Sequence, residues 1–347
     1  MKGSIDERAE GASGASVGRQ PGGVSIDERA EGASGASVGR QPGGVSIETL
    51  LRRLGAQEGV PLAPRTTWRV GGPARFLVTA PPTDALAELF ALCLETGTRV
   101  DVLGRGSNVL IADAGIDGVV VTFPDNRAPL AVDAAAGTVI AGAGVSMARL
   151  SARANAVGLS GFEWCAGIPG SVGGSAVMNA GLVTGGTREM ADVVTHVTHV
   201  SATGAVTRLD AAALAYTTRR STLQGAGGCV VQVEMRSAVP PEPPETLKER
   251  TRALIADRRR RQPRGATAGS TFVAPAESGH PAGYWIDRAG LKGHVLGGAR
   301  VSPKHANWIE NTGTATASDI AALMDLMQTE VSRLFGVQLM AEVRRLP

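Results

Sequence analysis

Aromatic side chains are scarce in this 347-residue sequence and make up only 3% of it. Proteins that bind single-stranded nucleic acid without sequence preference stack its bases on aromatic rings, so this composition argues against that class. The net charge of +3 is mild and suits an anionic small molecule at least as well as nucleic acid. We therefore expect a small-molecule ligand and no nucleic-acid partner.

Cysteine is scarce as well. Cys93, Cys165 and Cys229 are odd in number and far apart, so neither a disulfide framework nor a paired-cysteine metal site is predicted. His305 has no histidine or cysteine at ligand spacing, and we expect no metal. The chain also has no run of 18 apolar residues and no apolar leader. These absences predict a cytoplasmic protein without a membrane partner.

The first 45 residues are a tandem repeat. The segment Ser4–Val24 recurs unchanged as Ser25–Val45, and a third copy begins at Ser46 before a helical pattern replaces it. Gly, Ser and Ala dominate the repeat, which leaves little apolar surface to bury. We expect residues 1–45 to form a disordered tail.

Two glycine-rich segments are the most informative part of the chain. They are Leu103–Leu110, which reads LGRGSNVL, and Gly161–Gly181, which contains AGIPGSVGG. Glycine lets backbone N–H groups converge without a Cβ in the way, and such groups of amides favour anions such as pyrophosphate. Tight turns also use glycine, but two such loops in one chain favour a diphosphate cofactor.

The first loop does not fit the dinucleotide-binding fingerprint of a Rossmann fold. That fingerprint needs a strand, three spaced glycines and then a helix. Here Gly104 and Gly106 are followed by Ser107, Asn108 and an apolar β-type run, with no third glycine. A loop between strands that offers its amides and the two polar side chains to phosphate oxygens fits better.

Apolar periodicity predicts an α+β fold. The predicted helices include Asp84–Thr96, Glu245–Arg261 and Asp319–Phe335, and one last strand is predicted at Val337–Arg344. A proline-rich run, Val239–Pro244, predicts a stiff linker at a domain boundary.

The two loops, together with TTWRVGGPARF at Thr66–Phe76, resemble the UDP-N-acetylenolpyruvoylglucosamine reductase family, from about Thr66 to Arg344. The resemblance implies a two-part FAD-binding domain of the vanillyl-alcohol-oxidase (PCMH) type at 46–124 and 125–239. A smaller α+β substrate-binding domain would follow at 245–347. It also implies FAD as cofactor, NADPH as hydride donor and a UDP-sugar substrate, and we expect a monomer. The residues expected to hold FAD are Gly104, Arg105, Gly106, Ser107, Asn108, Gly167, Ile168, Pro169, Gly170, Ser171, Gly173, Gly174 and Asn179.

The same resemblance implies three catalytic residues. Arg219 matches a tyrosine-arginine-x-serine motif through its spacing to Ser221, although the tyrosine lies two residues too far upstream, and Arg220 remains an alternative. Ser270 matches a proton-donor serine in an A-G-S-x-F segment, and Glu342 matches a catalytic glutamate near the end of the chain. Without the resemblance, these residues would be read as two solvated arginines, a turn serine and a strand carboxylate.

Two rival functions stay open on the sequence. An FAD-linked alcohol or sugar oxidase usually tethers its flavin through histidine or cysteine, but His196 and His199 match no tether motif. A UDP-sugar-binding paralogue without turnover would explain why Val273 and Ala274 stand where the family usually has lysine and asparagine. The basic run Arg258–Arg261 is interpreted as a solvated helix end, with a share facing the substrate diphosphate.

Overall fold

The computed structural model describes residues 45–182 and 188–347. The tandem repeat lies outside the described residues, except for its last one, Val45. Helices α1 to α7 are Ile47–Arg53, Thr83–Thr96, Met147–Ala156, Val172–Val177, Pro244–Arg261, Ala282–Arg288 and Ala317–Phe335. Strands β1 to β18 are Gln57–Pro61, Pro73–Thr79, Val100–Leu103, Val109–Ile111, Ile116–Thr122, Leu130–Asp133, Thr138–Gly142, Gly181–Leu182, Arg188–Glu189, Val194–Val200, Val206–Asp210, Cys229–Arg236, Phe272–Val273, Val295–Leu296, Ala299–Val301, Ile309–Asn311, Met340–Ala341 and Arg344–Leu346.

The first sheet has the order β1-β2-β5-β3, in which β5 runs parallel to both of its neighbours. Helix α2 packs on it through an apolar face that recurs every three or four residues. The buried residues of that face are Leu86, Leu89, Phe90 and Cys93, as the sequence periodicity predicts. Strand β3 pairs with β5 at the edge of this sheet, and the first glycine loop follows directly from its end.

The second sheet is antiparallel and has the order β11-β10-β12-β7-β6. Helix α3 begins at Ser146, whose hydroxyl accepts a hydrogen bond from the Arg149 N–H, and α4 begins at Ser171 in the same way. Both helices bury apolar side chains in the core that this sheet forms. The second glycine loop is thus held between the ends of two capped helices.

Helix α5 lies against the second part of the chain. Arg250 of α5 donates hydrogen bonds to Glu163 at 2.7 Å and to Glu242 at 2.8 and 2.9 Å. Asn155 of α3 donates to Thr251 at 2.9 Å. The predicted linker therefore leads into a docked helix. Because residues from Val45 to Pro347 form one compact unit, the predicted domain boundaries stay predictions.

Helix α7 packs against the small sheet β14-β15-β16, and this C-terminal region also contacts residues that precede the first glycine loop. Trp68, which is fully buried, donates its indole N–H to Ile309 O at 2.8 Å, and Asn311 donates to Trp68 O at 2.8 Å. Strand β18 pairs in parallel with β4, directly after the first glycine loop. These contacts bring the end of the chain to that loop.

The single last strand predicted at Val337–Arg344 is wrong. The structure has two short strands there, and they pair with different partners: β17 with β13, and β18 with β4. The chain changes partner at Glu342 and Val343. Both residues of β17 are exposed and only Leu346 of β18 is buried, so burial does not alternate along either strand. The change of partner depends on distant strands, which an apolar pattern in the sequence does not show. Among the described residues, no helix is both long and apolar enough to cross a membrane.

Helix α7 begins with two caps. Thr316 is its N-cap and accepts from the Asp319 N–H at 3.0 Å. Asp113, from the turn after β4, accepts from the N–H groups of Ala317 at 2.7 Å and Ser318 at 2.9 Å. Burial alone would raise the pKa of Asp113, but hydrogen bonds from Ser318 and Ala317 outweigh it and leave the pKa below its usual value.

We predict that Asp113→Ala lowers the free energy of unfolding by about 1 kcal/mol at neutral pH, as expected for loss of a helix cap. A carboxylate with a lowered pKa stabilises the fold above its unfolded-state pKa. The difference between the variant and the parent should therefore shrink as the pH falls below about 4. Urea unfolding at several pH values measures it. Asp117→Ala, at an exposed ion pair with Arg75, is the control and should change little; equal losses from both variants would contradict the cap.

Candidate active site

A cavity of about 710 Å³ is lined by residues from three stretches of the chain, within 100–123, 143–230 and 258–346. Strands β3 and β12, both glycine loops and residues of the C-terminal region line it. Its volume and mixed lining suit a large ligand with a charged group.

The first glycine loop can hold its shape only with glycine. Gly106 has a φ of +60°, and a Cβ there would lie 2.2 Å from Arg65 O. A Cβ on Gly104 would lie 2.7 Å from the Ser171 Oγ of the second loop. Arg105 also donates its Nε–H to Pro169 O at 3.2 Å. The two loops therefore lie directly against each other.

The second loop and its neighbours are packed just as closely. A Cβ on Gly173 would lie 2.6 Å from the Ala143 Cβ, and one on Gly144 would lie 2.3 Å from Phe123 O. A Cβ on Gly170 would lie 3.1 Å from the Ser175 Oγ. The glycines that line the cavity leave its wall as bare backbone, a surface that suits an anionic group. The N–H groups of Gly173 and Gly174 are not free for it, because they donate to Ala143 O at 2.9 Å and to Ser171 Oγ at 3.4 Å. This cradle fits the diphosphate of FAD.

Most residues expected to hold FAD line this cavity, namely Gly104, Arg105, Gly106, Ser107, Asn108, Ile168, Pro169, Gly170, Ser171, Gly173 and Gly174. Gly167 lines a neighbouring cavity of about 440 Å³. Asn179 lines neither cavity and is fully buried. The Asn108 amide faces the protein and donates to Glu342 O at 3.0 Å, so its side chain ties the loop to the end of the chain.

The three residues with implied catalytic roles line the same cavity. Arg219 Nε lies 3.3 Å from Glu342 Oε1, and Ser270 lies in the adjacent segment of the wall. Arg220 is exposed and does not line the cavity, so the structure places only Arg219 at the site. Tyr216 packs against the core of the second sheet, away from the cavity.

Glu342 is fixed through its backbone on both sides. Its N–H donates to Thr271 O at 2.9 Å, and its carbonyl accepts from Asn108. Its side chain is only 17% exposed. Burial raises the pKa of Glu342, and the positive charge of Arg219 opposes that rise in part. A carboxyl with a raised pKa keeps its proton at a higher pH than an exposed carboxyl does.

Arg258 is a cavity residue that the sequence did not identify as special. It lines both cavities, and burial together with the charge of Arg219 lowers its pKa to about 10. Among the described residues it has no acidic partner. The sequence predicted a solvated helix end with a share of the run facing the substrate diphosphate, but not which arginines form that share. In the structure Arg258 and Arg261 line the larger cavity.

His199 and Cys229 also line the cavity. The His199 Nε2 lies 3.1 Å from Gly227 O, which occupies that nitrogen with a backbone contact. Burial raises the pKa of the Cys229 thiol to about 12, so it is protonated and unreactive at neutral pH. All three cysteines are buried and free. No cluster of three or more potential metal ligands occurs within residues 45–182 and 188–347.

Two family models match the sequence: an FAD binding domain at residues 74–210, and the C-terminal domain of UDP-N-acetylenolpyruvoylglucosamine reductase at residues 262–346. A reductase of that name from Anaeromyxobacter dehalogenans strain 2CP-C is 44% identical over 82% of this chain and 83% of its own length. The chain belongs to the UDP-N-acetylenolpyruvoylglucosamine reductase family. The reductase of Synechococcus sp. strain CC9311 is 42% identical over 84% of this chain and 93% of its own.

A solved structure agrees with this family. The crystal structure of the reductase from Thermus caldophilus superposes with a TM-score of 0.69 and is 33% identical, covering 84% of this chain and 99% of its own. The resemblance read from the two glycine loops is thereby confirmed, as is the α+β fold with an FAD-binding domain.

We predict that Glu342→Gln becomes more stable relative to the parent as the pH rises from about 4 towards 8. Gln mimics the protonated carboxyl, and a group with a raised pKa in the folded state loses stability as the pH rises through that pKa. Thermal melting across this pH range measures the difference. The control, Glu234→Gln, should show the opposite trend, because the hydrogen bond from Arg208 lowers the pKa of Glu234. If the difference in melting temperature between Glu342→Gln and the parent does not change with pH, a raised pKa for Glu342 is contradicted.

Proposed function

We propose that this protein catalyses the NADPH-dependent reduction of the enolpyruvyl group of UDP-N-acetylenolpyruvoylglucosamine to give UDP-N-acetylmuramate, a precursor of peptidoglycan. The observation that carries the proposal is a single cavity lined by both glycine loops and by Arg219, Ser270 and Glu342. The relatives named above supply the substrate by their name.

The glycine cradle would hold FAD through its diphosphate. Ser107 and Ser171 lie on the two loops and line the cavity. Bound there, FAD would supply the redox chemistry that links hydride from NADPH to reduction of the enolpyruvyl double bond. The chain itself then has to place the substrate, stabilise the charge that develops on it and supply a proton.

Arg219 is the residue we assign to charge stabilisation. Addition of a hydride to the terminal carbon leaves negative charge on the neighbouring carbon and its carboxylate. A guanidinium aimed at that carboxylate stabilises the charge where it grows, and its planar fork matches both oxygens. Glu342, which is 3.3 Å from the Arg219 Nε, would keep the guanidinium in this orientation.

Ser270 is the residue we assign to proton transfer. Its backbone forms a bridge with Trp308, and in the part of the chain that the structure describes its hydroxyl has no hydrogen-bond partner, so it is available to a substrate. A serine is a weak acid, and the cation of Arg219 nearby would lower the cost of its giving up a proton. Arg258, with its buried charge, would bind the anionic diphosphate of the UDP-sugar. Nothing in the structure explains the exchange of the family's lysine and asparagine for Val273 and Ala274.

We also propose that the protein is a cytoplasmic monomer. Three buried free thiols agree with a reducing compartment. Light scattering that gives a particle mass close to 35.5 kDa would support the monomer, and twice that mass would contradict it.

The function is tested by flavin absorbance under anaerobic conditions. NADPH should bleach the flavin of the purified protein, and the enolpyruvyl substrate should then restore its colour, with one product formed per flavin. An oxidase would instead be reduced by an alcohol or sugar and not by NADPH. A paralogue without turnover would bind the UDP-sugar but leave the bleached flavin unchanged.

We predict that Ser270→Ala separates the two halves of the reaction. Reduction by NADPH needs no proton donor to carbon, so bleaching should proceed at a nearly normal rate. Re-oxidation by the substrate should slow by about 10²–10⁴-fold, the usual loss for a general acid. Stopped-flow absorbance measures both rates. If both rates slow equally, Ser270 acts through packing or flavin placement, and its assignment falls.

We predict that Arg219→Lys slows re-oxidation strongly while flavin affinity stays unchanged, because lysine cannot make a planar two-point contact with a carboxylate. The matched control is Arg220→Lys, an exposed neighbour in the same turn, which should behave like the parent. Flavin titration and stopped-flow absorbance measure the two quantities. A slow Arg220→Lys beside a normal Arg219→Lys would show that the other arginine does the chemistry.

A further inference from the structure

Arg219 lies in a tight turn that its own sequence does not favour. Thr217 and Arg220 close the turn with two reciprocal backbone hydrogen bonds of 3.0 Å. Arg219 inside it has a φ of +60°, in the left-handed region that a residue with a side chain occupies only at an energetic cost. Such a conformation persists only when the surroundings hold it in place.

Two buried or half-buried amide side chains hold this turn. The Asn179 Nδ2 donates to Thr217 O at 3.0 Å, and the Gln224 Nε2 donates to Arg219 O at 2.8 Å. The other end of the Asn179 amide accepts from the Ala191 N–H at 2.9 Å. Asn179 is fully buried and lines neither cavity, so its amide faces the protein, which it contacts through both ends.

The same short segment also holds the guanidinium. Gly181, two residues after Asn179, accepts from both the Nη1 and the Nη2 of Arg219 at 3.3 Å. The Glu342 carboxylate forms an ion pair with the Nε of Arg219 at 3.3 Å. The segment from Asn179 to Gly181 therefore fixes Arg219 at its backbone and at the tip of its side chain.

We infer that Asn179 is a positioning residue that holds the Arg219 turn, and that it does not bind the cofactor as the sequence predicts. The inference rests on the proposed function, because it assigns Asn179 to the step in which Arg219 acts. Helix α4 begins at Ser171 in the second glycine loop and ends just before Asn179. One rigid segment thus sets the flavin cradle at one end and the catalytic arginine at the other.

The test uses Asn179→Gly, because glycine tolerates the φ of +43° at this position and the change removes only the side-chain contacts. Flavin affinity and the rate of bleaching by NADPH should match the parent. Re-oxidation by the substrate should slow by about 10- to 100-fold, the effect of a small displacement of a catalytic group. A fall in flavin affinity with an unchanged re-oxidation rate would overturn the inference and restore a cofactor role.

A double-mutant cycle shows whether Asn179 acts through the arginine. Asn179→Gly should add no further slowing when Arg219 is already lysine, whereas independent effects would multiply. If Arg219→Lys is slow and Asn179→Gly is normal, the inference fails and the proposed function stands. If the parent does not turn over at all, both fail together.

Two further variants guard against a merely structural effect. Asn179→Asp keeps the acceptor for Ala191 but replaces the donor to Thr217, and it serves if the glycine variant does not fold. Asn311→Ala is the matched control, because Asn311 also uses both ends of its amide: it donates to the distant Trp68 O and accepts from Gly313 in its own turn. It lies outside both cavities and should lose stability without slowing either half-reaction. Slow re-oxidation in Asn311→Ala would show that any loosening of the fold has this effect, and the inference would fall.

Discussion

The return of the chain's last residues to the first glycine loop is the constraint on which the rest of the site depends. Strand β18 pairs with β4, and Asn108 donates to the carbonyl of Glu342 just before that pairing begins. Thr271 accepts the N–H of the same glutamate, so the segment with Ser270 is fixed by the same contact. A carboxylate, a hydroxyl and a cofactor loop from three distant places in the sequence are therefore held by a few adjacent backbone hydrogen bonds.

The site accumulates local costs that a plain fold would avoid. Arg219 and Asn179 both have positive φ without being glycine, and Glu342 and Arg258 keep charged groups in places where burial opposes charge. Each is an arrangement that selection for stability alone would remove. Arg69, Ala80 and Ala215 also have positive φ and do not line this cavity, so backbone strain alone does not mark the site. The two buried charges do mark it, because preorganised charges act most strongly where water is excluded.

Local patterns in the sequence predicted the periodic helices well. The apolar face of α2 was read directly from the spacing of Leu86, Leu89, Phe90 and Cys93. The glycine loops were also predicted from the sequence, because only glycine allows the close backbone approach seen at positions such as Gly106. Features that depend on contacts between distant residues were not predicted from the sequence. They include the partner change at Glu342, the cap that Asp113 gives to α7, and the inward turn of Arg258.

Asn179 shows the limit most clearly. It stands in the second glycine-rich segment, and the family resemblance implied a cofactor contact there. In the fold its amide bonds to Thr217 and Ala191. No local pattern distinguishes an asparagine that binds a ligand from one that braces a turn 38 residues away. Only the three-dimensional hydrogen-bond partners make that distinction.

The most direct test of the account is a crystal structure of the protein with FAD and the enolpyruvyl substrate bound. The account predicts the FAD diphosphate against the two glycine loops, the substrate carboxylate on the Arg219 guanidinium and the Ser270 hydroxyl beside the carbon that receives the proton. A substrate carboxylate bound in the neighbouring cavity by Arg258 or Arg264, with Arg219 in contact with no substrate atom, would contradict it.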